Sequence, residues 1–199
     1  MTKPKIMMVS GAVIILTLFL FPLWNITLEA PQYPTPLGMD IYIYKFADTH
    51  PHDIKNINLM NHYVGMQEIP ETIPEFKIFP IVIIFMALTG VLIGFFKNYK
   101  WYLGWFIIMS VLACTGIYDF YLWEYEYGHN LDPKAILKFT NPDGSVMGFQ
   151  PPLLGSEDIL NFRVHSYPQL GAFFLGAGIL LCLFAYITSK KNQKNTLLS

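Results

Sequence analysis

Ile78–Phe96 reads IFPIVIIFMALTGVLIGFF, Lys97–Lys100 reads KNYK, and Trp101–Trp123 reads WYLGWFIIMSVLACTGIYDFYLW. Two apolar runs with a short basic joint decide the class of the fold. The hydrocarbon core of a bilayer is about 30 Å thick, and about 20 apolar residues of helix cross it. Each run is long enough, and a joint this short brings the two back as an antiparallel helical hairpin.

Two more apolar blocks lie outward of this pair, from Ile6 to about Trp24 and from about Leu170 to Thr188. The first follows Met1-Thr-Lys-Pro-Lys5, so a signal peptide is the alternative. Its apolar core is longer than the about 7–15 residues of a signal h-region, and Leu28-Glu29-Ala30 lacks the small-x-small cleavage pattern. An uncleaved anchor is expected. The sequence therefore predicts an all-α membrane protein. It is a four-transmembrane-helix bundle (spans about 6–24, 78–96, 101–123 and 170–188) with a small extracytoplasmic cap formed by outer loops 25–77 and 124–168. Residues 1–199 make a single integral membrane domain.

Composition agrees. The chain is 53% hydrophobic and 14% charged, against about 25% charged for a soluble domain. Its aromatic content of 16% includes many Tyr and Trp flanking the blocks, as interfacial belts require. The net charge of −1 gives no basic field for nucleic acid. Cys114 and Cys182 both lie in apolar blocks, with no CxxC and no disulfide framework.

Lys and Arg near span ends set orientation. With four spans, Lys3, Lys5, Lys97, Lys100, Lys190, Lys191 and Lys194 share one side with no acidic residue. That side reads as the cytoplasm of a bacterial inner membrane, with both termini in it. All 14 acidic residues and all five His fall on the other side or at its edge, with six basic residues, a net of −8. Such a layer attracts cations and basic partners over short range. Gly171, Gly176 and Gly178, and the Gly90-x-x-x-Gly94 pair, allow close helix approach in lipid. They read as packing inside the bundle, or as a face for a second subunit.

In the outer layer, Pro31-Gln-Tyr-Pro-Thr-Pro36 cannot be helix interior. Met39–Tyr44 alternates as a short strand, with Ile41 and Ile43 on one face. Asp53 is placed to cap a helix through Ile54, Ile57, Met60 and Tyr63. Asp132-Pro133 opens a capped helical turn, and Asn141-Pro-Asp-Gly144 is a turn. Gln150–Gly155 reads as a rigid connector. Ser156–Phe162 reads as a short amphipathic helix capped by Ser156.

Two constellations could carry chemistry. On a helix, His62 and Met66 are four apart and share a face, with Met60 nearby. Imidazole and thioether together suit copper, since soft sulfur favours Cu(I). The plainer reading is Met as core filler beside a packed His, and Gly65 can end the helix before Met66. The second is Asp119–His129. Asp119 and Glu126 share a helix face, and Glu126 and His129 are spaced as in the Glu-x-x-His pairs of carboxylate metal bundles. A second such pair is missing, and Gly128 can break the helix. The alternatives are an aromatic belt with solvated carboxylates, a metal site, or a proton or quinone role. His165, at the mouth of the last span, could join His62 or His129. No phosphate-binding, dinucleotide, haem-attachment or serine-nucleophile motif is present. The His positions do not suit an intramembrane bis-His haem.

Leu28-Glu-Ala-Pro-Gln-Tyr-Pro34 and Asn58-Leu-Met-Asn-His-Tyr-Val-Gly-Met66, with Tyr118–Pro133 and Gln150–Gly155 after them, carry a resemblance over most of the chain. It resembles small multi-span membrane proteins associated with nitrous oxide reductase maturation gene clusters. That resemblance implies a role in copper supply to a periplasmic copper enzyme, or in its assembly.

The leading expectation is a non-catalytic accessory protein for extracytoplasmic copper handling. Its metal candidates are His62, Met66 and Met60, then Asp119, Glu126 and His129. Its partners are membrane lipid and a periplasmic copper protein or membrane complex subunits. The rival is a structural or assembly subunit of a respiratory or transport complex. A third reading is a membrane metal-dependent oxidase.

Overall fold

The computed structural model describes residues 2–96, 98–141 and 143–198, with side chains described through Lys194. Lys97 of the basic joint and Pro142 of the expected turn lie outside the described residues. The fold is not an all-α four-helix bundle. It joins a helical layer to a five-stranded antiparallel sheet of order β3-β2-β1-β5-β4.

The chain opens with α1 (Lys3–Ile14), continued by a 3₁₀ turn, Ile15–Phe19. The expected span to Trp24 stops early for a local reason. Pro22 offers no N–H to a helix and pushes Phe21 out of the helical region. Trp24–Glu29 follows as β1, rich in the aromatic and β-branched residues that suit a pleated surface. Strand β1 is the centre of the sheet. It pairs with β2 (Leu37–Ile41) on one side and β5 (Phe162–Pro168) on the other. Strand β3 (Phe46–Asp48) extends the β2 edge, and β4 (Gly155–Ile159) the β5 edge. The segment from Ser156, expected as a helix, is thus half of a hairpin that turns at Leu160–Asn161. The strand expected at Met39–Tyr44 starts two residues earlier and ends at Ile41, so Ile43 lies beyond it and packs in the helical core instead.

Helix α2 (Asp53–Val64) follows the expected span, but Asp53 does not cap it. The Asp53 carboxylate is buried and accepts the backbone N–H groups of Gly38 at 2.8 Å and His50 at 2.9 Å, which fastens α2 to β2. Gly65, at φ +81°, ends the helix, as glycine does at helix C-termini. The Asp132 carboxylate accepts Lys134 N–H in a turn, and Gly144 N–H bonds Asn141 O in another.

Among the described residues, three helices are long and apolar enough to cross a membrane: α3 (Glu75–Ile93), α4 (Tyr99–His129) and α5 (Leu170–Leu198, apolar to Lys194). Helix α1 is shorter and packs against α3 and α5. Glycine permits that contact: a Cβ at Gly11 would sit 2.7 Å from Gly178 O and 2.7 Å from Cys182 Sγ. Gly90 and Gly94 face Ala12 and Val9 in the same way. Gly176 meets nothing within 4 Å. The indole of buried Trp105 donates to Met86 O at 2.9 Å and ties α4 to α3. This helical core includes Met8, Ile15, Met86, Tyr102 and Met109.

Helix α4 has 31 residues, about 46 Å at 1.5 Å per residue. That exceeds an about 30 Å hydrocarbon core, so its last turns stand outside the membrane layer. They enter the cap, where Phe120 packs on Trp24 at 5.7 Å, Trp123 on Phe46 at 5.4 Å, and Trp123 stacks on Tyr127 at 4.9 Å. A second core forms there around Ile26, Leu37, Met39, Ile57, Ile69 and Val164.

Candidate functional site

The cap core is not filled. A cavity of about 320 Å³ lies between the sheet, α2, the end of α4 and the segment around Leu137–Pro151. Ile26 of β1, Met39 of β2, Ile57 of α2, Tyr127 of α4 and Val164 of β5 supply its walls. Backbone bonds hold the outer segment over it: Asp132 N–H to Gly65 O at 2.8 Å, Leu137 N–H to Tyr63 O at 2.9 Å, and Phe149 N–H to Gly128 O at 2.9 Å. Gly128 is required here, since a Cβ on it would lie 2.5 Å from the backbone of Gln150.

One carboxyl faces this chamber. Glu124 lines the cavity, is wholly buried, and neither of its oxygens has a hydrogen-bond partner. Burial in apolar surroundings pushes it up to about 8, because an ion loses its hydration there and gains nothing. Near neutral pH it is a neutral acid with a free O–H donor. Beside it, the half-buried Tyr127 donates its phenol O–H to Gln67 O. Its titration is raised mainly by burial, opposed by a hydrogen bond with Asn61 and helped by the Glu68 charge.

The sequence-derived candidates are distributed differently. Met60 and Met66 line the cavity, with Met39 across from them on β2. Met60 Sδ accepts Gln32 Nε2 at 3.6 Å. His62 is exposed, its ring edge-on to Tyr63 at 6.3 Å. Because Gly65 ends α2, Met66 does not continue the helix face of His62. Helix α4 runs through Gly128 to His129, so Glu126 and His129 do share a helix, but both are exposed. The His129 ring stacks on Tyr125 at 4.2 Å, with Nδ1 2.9 Å from Tyr125 O. Asp119 is half-buried, a turn and more below Glu124 on α4. Among the described residues, no group of three or more His, Cys, Asp and Glu could hold a metal ion.

His165 lies on the other face of β5 from Val164. Its Nδ1 is 2.6 Å from Ser156 Oγ and its Nε2 3.3 Å from Glu29 Oε1, a trio across three adjacent strands open to solvent.

Glu124 was readable in principle. Phe120, Trp123, Glu124 and Tyr127 fall at i, i+3, i+4 and i+7, one helix face, and Glu124 is the acid among its aromatics. Asp119 and Glu126 lie off that face.

No protein-family model and no curated protein matches the chain.

Proposed function

We propose that this chain is a non-catalytic accessory protein of the bacterial inner membrane, with its cap in the periplasm. It serves a copper enzyme of the nitrous oxide reductase type, or its assembly, by holding a small ligand in the cap cavity. The observation that carries the binding role is the chamber with its single unpartnered carboxyl. Small-molecule sites are concave, mostly apolar, and carry few polar groups. The copper context rests on the resemblance.

Orientation is supported by where the basic ends meet. Lys5 Nζ bonds Phe95 O at 3.1 Å, Tyr99 packs on Tyr186 at 5.9 Å, and Lys190 Nζ sits 5.7 Å over the Tyr186 ring. The start of α1, the α3–α4 joint and the end of α5 therefore gather at the end away from the sheet, and the excess of lysine assigns that end to the cytoplasm. In intact cells, a membrane-impermeant maleimide should label Ser145→Cys and spare Asn98→Cys, both in a Cys114→Ser background. The reverse pattern overturns the orientation.

The function is tested by co-expressing a periplasmic copper enzyme of this type with the wild-type chain or a Met39→Trp chain, whose indole fills the cavity. Lower copper content of the enzyme with the filled cavity is expected. Equal copper content removes the proposal.

One observation favours a second reading, in which the ligand is Cu(I). Met39, Met60 and Met66 line one chamber, and thioethers are soft ligands suited to Cu(I). Titration against a competing chelator should then give one tight Cu(I) per chain, lost in the Met60→Leu, Met66→Leu double variant. No tight binding by the wild type ends this reading.

A further inference from the structure

Resting on the cavity being the working part of the cap, we propose that its ligand is an apolar molecule with one carbonyl-type hydrogen-bond acceptor, and that the Glu124 carboxyl donates to it. A fatty-acyl ester and a quinone ring share this chemistry.

Three observations converge. The first is the orphan acid. Buried polar groups in native proteins are nearly always satisfied, and each exception calls for a reason. Glu124 has two unsatisfied oxygens, both inside a chamber large enough to hold a partner. A ligand acceptor would satisfy the O–H and offset the desolvation of the group.

The second is the chemistry of the walls. Among the described residues no Lys or Arg lines the cavity, so an anionic ligand finds no counter-charge there. Among the described residues, Glu124 is the one charged-type side chain on the wall, and the other titratable groups there are the phenols of Tyr63 on α2 and Tyr127 on α4. Strands β1, β2 and β5 present Ile26, Leu28, Met39 and Val164. A carboxyl so placed keeps its proton and acts as a donor, the role an acceptor-bearing ligand needs. Empty apolar space is also costly: roughly 24 cal/mol per Å³ for unfilled cavities. An apolar body in the chamber removes that cost.

The third is the mouth. Tyr63, Leu137 and Leu160 line the cavity and are themselves 45%, 47% and 36% exposed. Leu160 sits at the β4–β5 turn, and β5 runs seven residues from there to Pro168, just before α5. At about 3.3 Å per residue the length of β5 separates the rim from the start of α5 by roughly 20 Å. An exposed apolar rim separated from the helical layer by the length of β5 gives an apolar ligand its first contact at the entrance.

The test uses the full chain in amphipol, titrated separately with methyl laurate and with decylubiquinone. Binding is read by the fluorescence of Trp123, which lines the cavity. Wild type and Glu124→Gln should bind one of the two probes saturably with similar Kd, since the amide keeps an N–H donor. Glu124→Leu, which fills the site with an apolar group, should bind at least about tenfold more weakly. Raising the pH from about 6.5 to about 9.5 should weaken wild type by at least about tenfold and leave Glu124→Gln unchanged, because only the carboxyl loses its proton. Which probe binds distinguishes acyl ester from quinone. Equal affinity in wild type, Glu124→Gln and Glu124→Leu overturns the assignment of Glu124. Failure of both probes to bind wild type saturably overturns the ligand class. If Met39→Trp still lowers copper loading of the enzyme in that case, the accessory role stands with another occupant, such as Cu(I).

Discussion

Replacing Glu124 by Gln exchanges a carboxyl for a neutral amide of the same shape, and the structure sets what this does to stability. The Glu124 carboxyl titrates at about 8 in the folded chain and at the ordinary 4.5 when unfolded. Between these values the folded state holds one proton more than the unfolded state. Stability therefore falls as pH rises through this window, by at most about 1.4 kcal/mol per unit for one proton, and the loss levels off above the folded value. From about pH 5.5 to about pH 7.5 the ceiling is roughly 3 kcal/mol; solvent reaching an open chamber reduces it to roughly 1.5–3 kcal/mol. For a chain of this size one kcal/mol moves Tm by about 2–4 °C. Wild type should then lose roughly 3–12 °C more than Glu124→Gln over that interval, and the variant should be the more stable of the two near neutrality. Every other ionisable group is common to both chains, so its effect cancels in the comparison. The assay is tryptophan fluorescence melting in mild detergent at a series of pH values, since Trp24 and Trp123 pack in the cap. Parallel melting curves for the two chains would refute the reasoning, because they would mean that Glu124 is ionised or solvated in the folded state.

Gly11→Val should destabilise the helical layer by more than about 2 kcal/mol, since the new side chain has no room against the Gly178 carbonyl. Gly176→Val, in open space, should leave the isolated protein's melting within about 0.5 kcal/mol of wild type, and loss of a co-purifying subunit in that variant would instead reveal a partner face. Asp53→Ala strands the Gly38 and His50 amides and should cost roughly 2–4 kcal/mol. Hydrogen exchange at those two amides reads it directly, and unchanged protection would show that α2 is held to β2 by packing alone.

The membrane character was legible because apolar residues cluster in blocks that no soluble fold of this size needs. The sheet was not, for reasons that particular residues make clear. Strand β1 begins at Trp24, inside what reads as the tail of the first apolar block, and only Pro22 marks the change. Its partner β5 lies more than 130 residues away, with Trp24 facing Pro168, so no local pattern announces the pair. Ser156-Glu-Asp-Ile carries the marks of a capped helix start, yet the β5 edge offers a ladder of backbone bonds and the segment takes it. Leu160 holds a left-handed φ of +56° in that hairpin, a conformation its residue type does not advertise.

The candidate site shows the same division. The stretch Met60–Met66 was singled out for its sulfur and imidazole, and two of its three named side chains do line the chamber, while His62 faces solvent. Reading the acids of α4 by spacing to one another selected Asp119 and Glu126. Reading them by helix phase against the aromatic residues selects Glu124, because Phe120, Trp123 and Tyr127 pack half-buried against the cap core and Glu124, central on their face, is buried. An acid on an apolar helix face either finds a partner or costs stability. Glu124 finds none among the described residues, and the space left open in front of it is the strongest argument that its partner comes from outside.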